Sequence, residues 1–99
     1  MNIRATDIAR TFGRHTRAYA EYRIFASLAR LSDVVREATV SLTPTSTAHT
    51  VVCSVVLDVR TGEPVRITAR GRHAYDAINR AAYRIGPALR RRLTAASSA

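Results

Sequence analysis

Lysine is absent from this 99-residue chain, and all sixteen basic residues are arginine. Cysteine occurs once, at Cys53, so no internal disulfide can form, and the chain suits a reducing, cytoplasmic setting. No apolar run approaches the roughly 18 residues of a membrane-spanning helix, so a helical span is excluded. The opening MNIRATDIAR has no apolar stretch, so nothing there marks the chain for secretion. His and Cys residues are never paired at metal-ligand spacing, and no two carboxylates share a helix face near an apolar stretch. Gly62 and Gly71 read as turn residues rather than as a phosphate-cradling loop. The expectation is therefore a protein that is not an enzyme and carries no metal and no cofactor.

What is present is charge of one sign. The formal net charge is +9, with 46% apolar and 23% charged residues, a globular composition with a strongly basic balance. The charge is unevenly placed: residues 1–36 carry a net +4, residues 37–69 a net −1 and residues 70–99 a net +6. Two basic blocks around a near-neutral one point to a polyanionic partner, and nucleic acid fits such a domain better than a membrane. Arginine presents a flat fork of donors suited to phosphate, whereas lysine is a point charge. A genome rich in G and C offers a second reason for the lysine deficit, and the net charge is indifferent to which applies.

Periodicity places the elements. NIRAT (2–6) alternates as a short strand, and Gly13 breaks the pattern that follows. A helix is expected from about His15 to Asp33, with Ile24, Phe25, Leu28 and Leu31 facing the core. Thr16, Arg23, Ser27 and Arg30 fall on its opposite side, with Tyr19 at the margin. EATVSLT (37–43) alternates as a strand with Ala38, Val40 and Leu42 on one face, and PTSTAHT (44–50) reads as a loop. VVCSVVLDV (51–59) is rich in β-branched residues, and its aggregation-prone composition is best hidden in the middle of a sheet. Cys53 within it reads as a small buried hydrophobe.

After a tight RTGEP connection, VRITAR (65–70) points Val65, Ile67 and Ala69 inward. The last helix starts near His73 and carries Ala74, Ile78, Ala81, Ile85 and Leu89 on one face. Tyr75, near Ile78, reads as packing at the core or its edge. Gly86-Pro87 predicts a kink or restart, because proline lacks the helical N–H. The domain is expected over residues 1–93, with residues 94–99 a frayed tail. The order β-α-β-β-β-α implies an α+β fold: a four-stranded sheet, opened by a parallel crossover, with two helices packed on one face.

That order, together with AYDAINRAAYRIGPALRRRL (74–93), resembles the ribosome hibernation-promoting factor and ribosome-associated inhibitor family. Tyr75, Ala77 and Ile78 match the family's opening of the last helix, and Asn79 stands where an acid is usual. YAEYRIFASLARLSDVVREATVSL resembles the first helix and second strand of the family, and Cys53 lies in a strand similar to the C-x-V-x-V-x-L strand of some short members. The resemblance covers nearly the whole chain and implies a short form without a C-terminal dimerisation domain. The loop 44–50 departs from the Gly-rich basic loop of short members, His73 replaces an acid before the last helix, and Pro87 lies where the family's helix is unbroken. What the resemblance implies is a cytoplasmic translation regulator of the stress response that binds the small ribosomal subunit and its rRNA, where messenger and transfer RNA would sit. Occupancy of that channel would be the whole mechanism.

On residue type and spacing, Arg80, Arg84, Arg90, Arg91 and Arg92 of the last helix are the expected RNA contacts. Arg23 and Arg30 join them if the helices lie side by side, and Tyr19 and Tyr83 are candidates for base stacking. The competing reading of Arg90–Arg92 is a solubilising tail that complements the helix dipole, although Arg80 and Arg84 lie too far back for it. Two other functions stay open. One is a general structured-RNA-binding module. The other is a protein–protein adaptor, with a dimer through strand edges or the open sheet face carrying Val52 and Val56 as the departure from an expected monomer.

Overall fold

The most apolar stretch of the chain becomes the strand with neighbours on both sides. The computed structural model describes residues 2–6, 8–47 and 49–97. Its elements are β1 (Asn2–Thr6), α1 (Ile8–Phe12), α2 (Arg14–Leu28) with a 3-10 turn at Ala29–Leu31, β2 (Val35–Pro44), β3 (Val51–Val59), β4 (Val65–Gly71) and α3 (Ala74–Ser97). The four strands form one sheet in the order β1-β2-β3-β4, with β1 parallel to β2 and the other pairs antiparallel. This is the α+β architecture expected from the element order.

Alternation decides which face is buried. Ala38 pairs with Leu57, Val40 with Val55 and Leu42 with Cys53 across β2 and β3. Cys53, Val55 and Leu57 in turn pair with Ala69, Ile67 and Val65 of β4. All of these side chains are buried. The other face carries Thr39, Ser41, Ser54, Thr68 and the exposed Arg66 and Arg70. Cys53 is fully buried, and burial pushes its thiol up to about 12, so it is an inert hydrophobe at neutral pH.

α3 covers the β3–β4 half. Ala74, Ile78, Ala81, Ile85 and Leu89 are all buried, as their spacing requires. Ile78, Ile85 and Leu89 are among the largest fully buried side chains, each stabilising the fold by roughly 1.5–3 kcal/mol. Gly71, expected as a turn residue, ends β4 directly beneath the start of α3. A Cβ there would lie 2.3 Å from the backbone nitrogen of Ala77. The glycine is what lets helix and strand backbones approach.

Several local expectations differ from the structure. α3 is one helix through Pro87 and shows no restart. Gly86 explains the tolerance, since without a Cβ it removes much of the clash that a residue before proline suffers in a helix. The helix also continues through Ser97, beyond residue 93. Phe25 is 54% exposed rather than in the core, whereas Thr16 is buried rather than on the outer side. α2 buries a narrow stripe spaced by four, Thr16, Ala20, Ile24 and Leu28, and Phe25 lies one step around from it. β1 is only five residues long, and Phe25 sits in a shallow groove with Ile3, Ala18, Glu21 and Tyr22. The first helical region is also divided, because Gly13 at φ 95° separates α1 from α2.

Candidate nucleic-acid interface

The two long helices lie side by side, and a polar seam registers them. Arg23 Nε and the Tyr19 hydroxyl both donate to Asn79 Oδ1, each at 2.8 Å. The Tyr19 ring packs on Tyr75 with centroids 4.6 Å apart, and the Arg23 guanidinium lies 5.8 Å from the centre of the Tyr83 ring. These pairs advance together along both helices, so α2 and α3 run in the same direction. Arg30, exposed at the end of α2, therefore falls at the same end of the helix pair as Arg90–Arg92. Tyr75, expected at the core or its edge, is instead 39% exposed and packs on a tyrosine of the other helix.

The start of α3 is capped by residues that composition alone would not single out. His73 Nδ1 accepts from the Asp76 backbone N–H at 3.2 Å, and Asp76 Oδ2 accepts from the Arg72 backbone N–H at 2.9 Å. This is a variant of the reciprocal capping box, with histidine in place of the usual Ser or Thr. Asp76 also accepts from Arg80 Nε at 3.1 Å. The Arg72 backbone bond, and then the Arg80 side chain, hold the Asp76 carboxyl below its ordinary value.

Further along α3 the arginines divide into two roles. Arg84 donates through Nη1 to the Thr68 carbonyl of β4, and Arg92 donates through Nη1 and Nη2 to the Glu63 and Pro64 carbonyls before that strand. Both tie the helix to the free edge of the sheet, and Arg92 is half-buried in doing so. Arg80, Arg90 and Arg91 are exposed, and Tyr83 is 77% exposed. Tyr19 is half-buried, with its hydroxyl and one ring contact used inside the seam. The helices thus bring Arg23 and Tyr83 together at the seam, whereas Arg80 lies with Asp76, Arg70 and Arg72 beside the end of β4, and Arg30 and Arg90–Arg92 gather towards one end. Arg84 and Arg91 line a groove along β4 that also includes Arg66, a strand residue outside the expected set. The signal for Arg66 was its outward place in VRITAR beside a basic helix.

What this arrangement can do follows from its chemistry. It offers many fixed guanidinium donors and exposed aromatic surface over a helical layer, with no acid other than Asp76 on α3. Among the described residues, no group of three or more His, Cys, Asp or Glu could hold a metal ion. No helix of the described chain is long and apolar enough to cross a membrane.

A four-stranded mixed sheet with two parallel-running helices on one face and a basic outer layer is the class of domain defined here. Among solved structures, it is similar to the crystal structure of the Thermus thermophilus Protein Y N-terminal domain. The TM-score is 0.68, over 91% of this chain and 93% of that one, at 24% sequence identity. The likeness establishes the shared fold. No family model and no curated protein matches the chain.

Proposed function

We propose that this protein is a ribosome-associated hibernation factor, a cytoplasmic and non-enzymatic one. In this reading it binds structured rRNA of the small subunit through α2 and α3 and occludes the channel used by messenger and transfer RNA. The observation that carries the reading is the parallel α2–α3 pair, registered at Asn79, with its outer surface and one end supplied with arginine. The fold shared with Protein Y over nearly the full chain supports it, as does the sequence resemblance to hibernation factors.

Arg23, Arg30, Arg80, Arg84, Arg90, Arg91 and Arg92 are the proposed RNA contacts, with Tyr83 better exposed for base stacking than Tyr19. Arg84 and Arg92 act with the donors left over from their carbonyl bonds to the β4 edge. The Arg84 bond favours a monomer, because it occupies a carbonyl of the edge strand β4 through which another strand would pair. No step of chemistry is required. A rigid basic domain competes for a channel walled by phosphate, and occupancy alone idles the ribosome. The test is a cell-free translation reaction to which the protein is added at ribosome concentration. Suppressed synthesis that a variant with Arg80, Arg84 and Arg91 changed to glutamine fails to produce supports the reading. Equal synthesis with and without the wild type contradicts it.

A further inference from the structure

A groove runs between the outer edge of β4 and α3, lined by Arg66, Thr68, Tyr83, Arg84, Pro87 and Arg91 over an apolar floor from Ile67 and Ala88. Its volume is about 440 Å³, within the roughly 300–1,000 Å³ of small-ligand sites and far too small for a nucleic-acid duplex. The lining includes no carboxylate. The side chains of Arg66 and Arg91 have no hydrogen-bond or ion-pair partner among the described residues, and Arg84 is held in place by the Thr68 carbonyl. Three guanidiniums beside an exposed aromatic ring and a proline are a mixed demand. An acidic peptide would satisfy the charges and leave the apolar surface uncovered. A nucleotide satisfies both, with a flat base for the ring and a phosphate for the arginines.

We propose that this groove holds a single unpaired nucleotide of the RNA strand that the helices lie against. Its base stacks on Tyr83 and Pro87, and its flanking phosphates are gripped by Arg66, Arg84 and Arg91. The proposal rests on the RNA-binding reading above and adds to it a single-strand subsite, built partly by the sheet. Tyr83 suits the role because Arg23 lies 5.8 Å from its ring centre, where it positions the ring at the mouth of the groove. Arg66 stands on the open sheet face rather than on a helix, so it contributes to the groove without belonging to the helix surface.

The test is the affinity of the full chain for a fluorescently tagged adenosine pentanucleotide, with the wild type compared to Arg66→Gln and Tyr83→Leu. Both positions are exposed, and far-UV circular dichroism checks that both variants fold. Each variant is expected to lose roughly tenfold in affinity for the single strand. Affinity unchanged in both variants, or no saturable binding by the wild type, overturns the groove. Displacement of the oligonucleotide by free adenosine 5′-monophosphate at equal concentration overturns the assignment to an RNA strand. Small-subunit sedimentation, run on the same preparations, separates the two claims. A wild type that sediments with the subunit while both variants bind the pentanucleotide normally defeats the groove and leaves the ribosome reading standing.

Discussion

Arg23 donates through Nε to Asn79 Oδ1 at 2.8 Å, across 56 residues of chain. That bond, with the Tyr19 hydroxyl on the same oxygen, fixes the register of the two helices that form the basic surface. Replacing Asn79 with leucine removes the acceptor from two part-buried donors and is expected to cost about 1–3 kcal/mol. Asn79→Asp keeps an acceptor for both donors and should retain most of the stability. Urea unfolding midpoints of the two variants check this, and equal losses would contradict the role of the shared oxygen.

Gly71→Ala should be more damaging than its exposure implies. The added Cβ would meet the Ala77 nitrogen at 2.3 Å and the Ala77 Cα at 2.8 Å, both backbone atoms that cannot move aside. A loss of roughly 1–3 kcal/mol is expected from the overpacking, again read from urea unfolding. Gly13→Asn should also destabilise, for a different reason: no atom lies within 4 Å of a Cβ there, but φ 95° with ψ 166° is a backbone conformation essentially confined to glycine.

These two predictions separate what the sequence makes legible from what it hides. The alternation in VRITAR and EATVSLT was readable because each strand has one wet face and one dry face. The α3 stripe was readable because Ala74, Ile78, Ala81, Ile85 and Leu89 repeat at helical spacing. Phe25 was misplaced because helical spacing marks an apolar face without saying how much of it a short β1 can cover. The restart expected at Pro87 does not occur, because Gly86 before it lacks the Cβ that would clash with the proline ring. Asn79 and Gly71 owe their roles to contacts between distant segments, and nothing local in the chain announces them. The site residues were legible as a charge pattern. Their division into outward and edge-clamping arginines was not.

Acid should weaken the start of α3. The Asp76 carboxyl is held below its ordinary value of 3.8 by the Arg72 backbone N–H and then by Arg80. A depressed carboxyl stabilises the fold fully above its unfolded value, and the contribution is lost as pH falls through the lower folded value. Thermal midpoints measured from pH 6 down to pH 2 should therefore fall less in Asp76→Asn than in the wild type, from an already lower start. Parallel curves would contradict the capping role.

Removing both edge clamps should expose β4. With Arg84 and Arg92 changed to alanine, the carbonyls of Glu63, Pro64 and Thr68 lose the guanidiniums that now occupy them. An edge strand with free carbonyls is a template for pairing with a second chain. Sedimentation velocity should show concentration-dependent dimers or larger species in the double variant and a monomer in the wild type. Two identical profiles would contradict the clamp.

The central claim is that the arginines of the helix layer hold the protein on the small ribosomal subunit. Its most direct test is co-sedimentation with separated subunits on gradients at several salt concentrations, with the wild type beside the Arg80, Arg84 and Arg91 to glutamine variant. About six phosphate contacts predict a log–log salt slope of roughly −4 to −5, and a variant slope shallower by about two to three. Salt-sensitive enrichment on the small subunit that the variant loses is the predicted result. A wild type that stays at the top of the gradient even at low salt would contradict the account.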